Sequence, residues 1–275
     1  MEDPSVHVDG LRREFGSVTA LDGVDLDVAG PAIVGIAGPN GAGKTTLIEA
    51  LLGLLAPTAG EIRVGGTDPL AFGAADRRRL GYMPQREAVY RDLTVRENVD
   101  FFARLYEVSD RTAAVDRALS FVDLDARADA RVAELSGGMI RRTSLACAIV
   151  HDPDVLVLDE PTVGLDPELR MAMWEGFRAR REEGAIVLVS THYLAEAQNC
   201  DRVLFLRDGR TLADDAPEAF LSRTGTDDLE DAFLALLNGA VAADDAAADD
   251  ATADDAAADD ASSGGRADVD GRADA

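Results

Sequence analysis

The segment GPNGAGKTT, residues 38–46, restricts the fold of this chain more than any other feature of its sequence. An apolar run, Ala32–Ala37, precedes it, and a stretch with helical spacing, Thr45–Leu55, follows it. The pattern G-x-x-x-x-G-K-T between a strand and a helix is that of a loop whose backbone N–H groups surround phosphate oxygens. The sequence therefore predicts an α/β fold in which this loop binds a nucleotide through its phosphates.

The residue types in this loop all suit phosphate binding. Gly41 and Gly43 let the backbone approach phosphate oxygens closely. Lys44 would place a positive charge at the β- and γ-phosphates, and Thr45 would offer its hydroxyl to Mg²⁺. The predicted nucleotide-binding residues of this segment are Gly38, Pro39, Asn40, Gly41, Ala42, Gly43, Lys44, Thr45 and Thr46.

Lys44 is the only lysine among the 275 residues, and the chain carries 52 acidic residues against 27 lysines and arginines. The resulting net charge of -25, with arginine in place of lysine, is typical of proteins from salt-loving organisms. At about 1 M salt the Debye length is only about 3 Å, so this charge says little about partners. It disfavours nucleic acid, and no nucleic-acid partner is expected.

A second acidic feature follows the apolar run Val155–Leu158, which has the β-branched character of a buried parallel strand. Asp159 and Glu160 come directly after it, at the strand end where ligands bind in open α/β sheets. Asp159 is expected to hold Mg²⁺, directly or through water. Glu160 is then free to orient or deprotonate an attacking water.

The segment LSGGMIRR, Leu135–Arg142, predicts a second phosphate-binding helix start. Ser136 can cap the helix, and Gly137 and Gly138 leave its first N–H groups accessible, which makes a favourable anion site. Unlike the first site, this one has no lysine.

Further strands and helices alternate along the chain. Asp166 and Pro167 predict the start of a helix, and Ala185–Val189 predicts another buried strand after it. The segment Arg202–Leu212 predicts a β-hairpin that turns at Asp208-Gly209.

The phosphate loop, the strand that ends in Asp159-Glu160 and the LSGGM segment before that strand together resemble the ATP-binding-cassette (ABC) ATPases. The resemblance covers about residues 5–220, with the motifs in the order and at the spacings of that family. It implies a P-loop NTPase with a RecA-like α/β core, an N-terminal antiparallel β subdomain and an inserted helical subdomain. It also implies ATP and Mg²⁺ as cofactors and ATP hydrolysis as the reaction.

Three further residues take their predicted roles from this resemblance. Gln85 falls at the position of the Q-loop glutamine, and His192 matches the switch histidine that holds the γ-phosphate and the attacking water. Phe15 lies where the family places an aromatic ring on adenine. The predicted catalytic residues are Glu160, His192, Gln85 and Asp159, and the predicted Mg²⁺ ligands are Thr45, Gln85 and Asp159.

The resemblance also explains the second phosphate-binding segment. Two cassettes of this family pair head to tail around two ATP molecules, so Ser136, Gly137 and Gly138 would contact the ATP held by the partner's lysine. Asp166 lies in the D-loop at the same nucleotide, and Met139 replaces the more common glutamine, for which only a modest effect is expected.

The partners implied are a second ABC ATPase chain, as a homodimer or with a similar chain, and an integral membrane permease. The chain itself shows no signal peptide, no run that could span a bilayer and no spacing of Cys147 and Cys200 for a metal or a redox pair. It is therefore expected to lie on the cytoplasmic face of the membrane.

The expected organisation has three parts. Residues 5–225 form the ATPase domain, with the helical subdomain at about 88–150, and residues 226–240 form a docking helix. Residues 241–275 repeat Asp pairs separated by alanine and are expected to be a disordered tail, because they offer too little apolar surface to fold.

The kind of transport rests on looser features. LSGGM followed by two arginines, the segment Asp92–Asn98 and the segment Leu229–Phe233 resemble ABC-2 type and drug exporters. An importer cassette is an alternative. A soluble ABC ATPase acting on ribosomes or DNA is another, although such proteins usually carry two cassettes or a coiled-coil insertion. A kinase with the same loop leaves LSGGM and His192 unexplained.

The segment Tyr82–Asp100 corresponds to the region with which the family contacts its permease. Ala88, Val89 and Tyr90 are the candidate contact residues. The alternative is a surface loop that packs only on its own subdomain.

Overall fold

The computed structural model describes residues 4–239, so the predicted tail 241–275 lies outside the described residues. The strands are β1 (Ser5–Phe15), β2 (Val18–Ala29), β3 (Ala32–Ala37), β4 (Ala59–Val64), β5 (Leu80–Met83), β6 (Val155–Asp159), β7 (Ile186–Thr191), β8 (Arg202–Arg207) and β9 (Arg210–Asp215). The helices are α1 (Lys44–Leu51), α2 (Ala74–Arg78), α3 (Val95–Leu105), α4 (Arg111–Phe121), α5 (Gly137–Ile149), α6 (Pro167–Glu182), α7 (Pro217–Thr224) and α8 (229–239). None of the helices described in this range is long and apolar enough to cross a membrane.

The main sheet has six strands in the order β5-β6-β7-β3-β8-β9. The first five run parallel, and β9 pairs antiparallel with β8. Strands β6 and β7 are buried along their whole length, as expected for parallel strands covered on both faces. The carboxyl ends of β3, β5, β6 and β7 therefore lie at one edge of the sheet, next to the phosphate loop.

A second sheet, β2-β1-β4, is antiparallel. Its buried side chains, such as Leu11 and Leu26, share one hydrophobic cluster with Ile36 of β3 and Leu47 of α1. The N-terminal sheet is thus packed over the helix that follows the phosphate loop. This arrangement confirms the predicted P-loop α/β fold with an N-terminal antiparallel β subdomain.

Helices α3, α4 and α5 follow β5 and precede β6 along the chain, and they pack against one another. Val115, Leu119 and Val122 are buried in the same cluster as Leu145 of α5. Within the described segment 88–150 the only β-pairing is an isolated bridge between Thr94 and Arg131. The LSGG segment lies at the start of α5. The loop 84–94, which contains Tyr90 and is called the Tyr90 loop, precedes α3.

Helix α6 begins where the sequence predicts. The Asp166 carboxylate accepts a hydrogen bond from Leu169 N at 3.0 Å, which is the geometry of an N-cap. Of the side chains spaced by four along this helix, Met173 and Phe177 are buried and Leu169 is half-buried. Trp174 is buried as well, because the apolar face of a helix includes positions three apart as well as four apart.

Helix α1 is shorter than the predicted helix Thr45–Leu55, since it ends at Leu51. Gly53 has a φ of +68°, and a Cβ at that position would lie 2.1 Å from the Pro69 carbonyl oxygen. At Gly53 the chain leaves the helix and passes close to the segment that contains Pro69. Helical spacing in the sequence does not report such a long-range approach.

The predicted hairpin is present as β8 and β9. Asp208 and Gly209, between these strands, have φ angles of +50° and +78°. Positive φ at both central residues is the requirement of a type I′ turn, which matches the twist of the two strands.

Candidate nucleotide site

The phosphate loop depends on glycine at positions where no other residue fits. Gly38 and Gly43 have φ angles of +155° and +103°. A Cβ on Gly38 would lie 2.2 Å from the Leu206 carbonyl oxygen, and one on Gly43 would lie 2.8 Å from the Ala20 carbonyl oxygen. The loop is therefore held against the end of β8 and against β2, with Gly43 as the N-cap of α1.

Lys44 lies inside the curve of the loop. Its Nζ donates to the carbonyl oxygens of Gly38 at 2.7 Å and Pro39 at 3.0 Å. Burial lowers its pKa from the ordinary value of 10.5, while the carboxylates of Glu160 and Asp159 oppose that shift. The charge of Lys44 is thus held at the loop by buried carbonyls and nearby acidic groups.

Thr45 and Asp159 bring two oxygen donors together. Thr45 Oγ1 lies 3.2 Å from Asp159 Oδ2, and the other oxygen of this buried carboxylate accepts a hydrogen bond from Ser190 Oγ. Hydroxyl and carboxylate oxygens are ligands that Mg²⁺ prefers. Residues 4–239 contain no group of three His, Cys, Asp or Glu side chains that could hold a metal ion by themselves.

Glu160, Gln85 and His192 meet at the ends of three neighbouring strands. Gln85 Nε2 donates to Glu160 Oε2 at 3.0 Å, and His192 Nδ1 lies 2.9 Å from Glu160 Oε1. Because a carboxylate only accepts, this contact requires a proton on Nδ1. The two neighbours orient a carboxylate that is itself almost fully buried.

Ser190 is a site residue that sequence reasoning did not single out. Besides donating to Asp159, its hydroxyl accepts a hydrogen bond from Glu160 N at 2.9 Å. One β7 side chain thus ties down both acidic residues at the end of β6. Its position two residues before His192 is the only sequence signal for this role.

The remaining predicted residues lie apart from this cluster in the described chain. Phe15 ends β1 with 46% of its surface exposed, and the Arg13 guanidinium covers its ring at 4.4 Å. Ser136 caps α5 by accepting from Met139 N, and Gly138 packs beside the D-loop at Leu165. One face of the Phe15 ring is therefore occupied by Arg13.

Arg141 is a second residue that sequence reasoning did not assign to the site. It lies in α5, and its guanidinium reaches backbone carbonyls around the catalytic cluster. Nothing local in the sequence indicates where the side chains of the two arginines after LSGGM point, so in the sequence they mark only a family resemblance.

A glycine-rich loop between a central strand and a helix, with a carboxylate pair at the carboxyl end of another strand of the same sheet, defines a P-loop nucleoside triphosphatase. The sequence model of the ABC transporter family matches residues 21–163, more than half of the chain. The chain therefore belongs to the ABC transporter family, and it is an ATP-hydrolysing subunit of that family.

Relatives and solved structures agree with this assignment. The Nod factor export ATP-binding protein I of Paraburkholderia xenovorans is 42% identical over 84% of this chain and 77% of that protein. Its counterpart from Rhizobium sp. strain N33 is 40% identical over 80% of this chain and 74% of that protein.

Among solved structures, an ATP-binding subunit of an ABC transporter superposes with a TM-score of 0.79 at 28% identity, over 85% of this chain and 99% of that one. A dimeric ATP-binding cassette with ADP and Pi superposes with a TM-score of 0.70 at 25% identity, over 77% of this chain and 98% of that one.

Proposed function

We propose that this protein is the ATPase subunit of an exporter, which pairs with a second cassette and drives a separate permease from the cytoplasmic face of the membrane. The similarity to Nod factor export ATP-binding proteins supports the direction of transport. The dimeric cassette with ADP and Pi supports pairing of two cassettes.

The meeting of Gln85, Glu160 and His192 beside the phosphate loop is the observation that carries the chemistry. Glu160 is placed to accept a proton from a water that attacks the γ-phosphate, and His192 to hold that water and the phosphate. Thr45 and Asp159 would hold Mg²⁺, which supplies charge stabilisation to the phosphates. Lys44 would provide a fixed positive charge to the β- and γ-phosphates.

Pairing of two cassettes would complete each ATP site. The start of α5 offers the Ser136 hydroxyl and free N–H groups, and an added Cβ on Gly137 meets no described atom within 4 Å. This helix start suits a γ-phosphate presented by a partner, since N–H groups and the helix dipole favour an anion there.

An exposed aromatic surface next to the Q-loop supports contact with a permease. Tyr90 and Phe101 are 51% and 40% exposed, and their rings meet edge to face at 5.0 Å. Leu105 extends this surface from the same helix and is 61% exposed. Exposed apolar patches of this kind mark protein interaction sites. Tyr90 follows Gln85 by five residues in the Tyr90 loop, so the contact adjoins the catalytic cluster.

Affinity capture of the tagged chain from detergent-solubilised membranes at native salt tests the proposal. We expect a polytopic membrane protein at a fixed ratio to the wild-type chain. The double change Tyr90→Ala and Phe101→Ala should lose that partner while ATP hydrolysis by the isolated chain persists. Leu70→Ala, which removes an equally exposed apolar side chain elsewhere, is the matched control. Recovery of ribosomal proteins instead would overturn the proposal.

A further inference from the structure

Arg141 binds carbonyl groups from two of the three chain segments that form the catalytic cluster. Its Nε donates to Pro161 O at 2.9 Å, and one Nη donates to Gln85 O at 3.2 Å. The other Nη donates to Asp159 O at 3.2 Å and also to Glu160 O. Three successive carbonyls, of the last residue of β6 and the two residues after it, thus converge on one guanidinium, together with the carbonyl of Gln85.

The backbone at Glu160 explains why such a contact is needed. Glu160 has a φ of +51°, in the left-handed region that residues with a side chain rarely adopt. This conformation turns the carboxylate towards Gln85 and His192. It also turns the carbonyls of Asp159, Glu160 and Pro161 to one side, where unsatisfied acceptors would be costly.

The location of Arg141 gives the contact a further consequence. It lies three residues after Gly138 on the same helix, α5, whose first turn carries the LSGG segment. A displacement of that helix start would therefore move the guanidinium against the Glu160 and Gln85 backbones.

We propose that Arg141 is a positioning residue, which holds the backbone of Glu160 and Gln85 so that the Glu160 carboxylate faces the γ-phosphate. Arg141 acts through Glu160 and takes no part in proton transfer itself. The inference rests on the proposed role of Glu160 as the general base, so the test includes a variant of that residue.

The variants Arg141→Gln, Glu160→Gln and the double variant form the test. We expect Arg141→Gln to lower kcat by roughly 10- to 100-fold, since a small misplacement of a catalytic group can cost about 10²-fold. KM for ATP should change by less than about twofold, because the phosphate loop keeps its contacts. Glu160→Gln alone should lower kcat by about 10²–10⁴-fold.

A positioning role predicts that the effects of Arg141→Gln and Glu160→Gln on the rate are strongly non-additive in the double variant. In the Glu160→Gln background, Arg141→Gln should lower the single-turnover rate by less than about twofold, because the group it orients no longer accepts a proton. Arg141→Lys keeps the charge and some of the donors, so its kcat should lie between those of the wild type and Arg141→Gln.

Arg142→Gln is the matched control. Arg142 makes the same kind of contact elsewhere, donating to Val122 O and Asp123 O at 2.9 Å each at the end of α4. Its loss should lower the unfolding midpoint and leave kcat near the wild-type value below that midpoint. A folded Arg141→Gln with wild-type kcat, or losses that add in the double variant, would overturn the inference. Normal turnover by Glu160→Gln would instead overturn the proposed role of Glu160.

Discussion

At the scale of single residues, the site is assembled by groups that satisfy one another rather than by isolated catalytic side chains. Ser190 serves both Asp159 and Glu160, and Arg141 serves their carbonyls. Buried polar groups are stable only when such partners are present. The acidic pair is therefore held in a fixed orientation at the end of a buried strand.

His151 illustrates a buried residue whose charge state affects stability. Its Nε2 lies 2.9 Å from Leu80 O, its ring stacks on Tyr106 at 3.7 Å, and its buried Nδ1 has no hydrogen-bond partner among the described residues. Burial lowers its pKa from 6.5, whereas the Leu80 contact and Asp152 favour the charged form. The fold thus prefers the neutral ring.

The expected pH dependence follows from that sign. Because the folded-state pKa is the lower one, the contribution of His151 is complete above about pH 6.5 and declines as the pH falls below it. The unfolding midpoint of the wild type should drop more between pH 7.5 and pH 5.5 than that of His151→Phe, which keeps a ring on Tyr106. Circular dichroism measures the unfolding midpoints. Equal drops in the midpoints of the wild type and His151→Phe would contradict the prediction.

At the scale of secondary-structure elements, close approach of β5 to α5 determines how the helical subdomain joins the core. Gly81 in β5 faces the end of α5, and a Cβ there would lie 2.4 Å from Ala148 O and 2.7 Å from Pro153 Cγ. Since backbone and a proline ring cannot move aside easily, glycine is required for this packing.

Gly81→Ala should lower the free energy of unfolding by about 1–3 kcal/mol, the usual effect of overpacking a core. Urea titrations followed by the fluorescence of Trp174, the one tryptophan of the chain, measure this change. Gly73→Ala is the control, because its nearest neighbour would be the Asp76 carboxylate at 3.6 Å and its φ of -85° is ordinary. A loss no larger than that of the control would show that β5 can shift without penalty.

At the scale of the whole molecule, the net charge of -25 sets the conditions under which the fold is stable. Like charges repel one another more in the compact chain than in the unfolded one. Ion pairs at the surface, such as that between Arg210 and Asp22, contribute little and are themselves screened by salt.

Salt should therefore stabilise this protein. Raising KCl from about 0.1 M to 1 M shortens the Debye length from about 10 Å to about 3 Å and removes most long-range repulsion. We expect the thermal unfolding midpoint to rise across this range. A series in sucrose at matched water activity is the control, because it separates charge screening from a general solute effect. A rise of the unfolding midpoint in sucrose as large as that in KCl would argue against charge repulsion.

Much of the fold could be predicted because its signals are local. The glycines of the phosphate loop, the Asp166 cap and the Asp208-Gly209 turn each follow from what a few adjacent residues permit. The end of α1 could not be predicted, since it depends on the approach of Gly53 to Pro69, which is distant in sequence. The same limit applies to Ser190 and Arg141, whose partners lie on other elements.

The sequence by itself determined the chemistry available to this protein. A lysine in a glycine-rich loop, carboxylates after a buried strand and a serine-capped helix start specify a nucleotide-hydrolysing family. Only the tertiary structure decided how those groups are held. Parallel pairing of β5, β6 and β7 places Gln85 and His192 within hydrogen-bond distance of Glu160. Helix α5 passes close enough for Arg141 to reach the carbonyls of Gln85 and Glu160. Contacts between distant segments depend on packing, and local patterns do not contain that information.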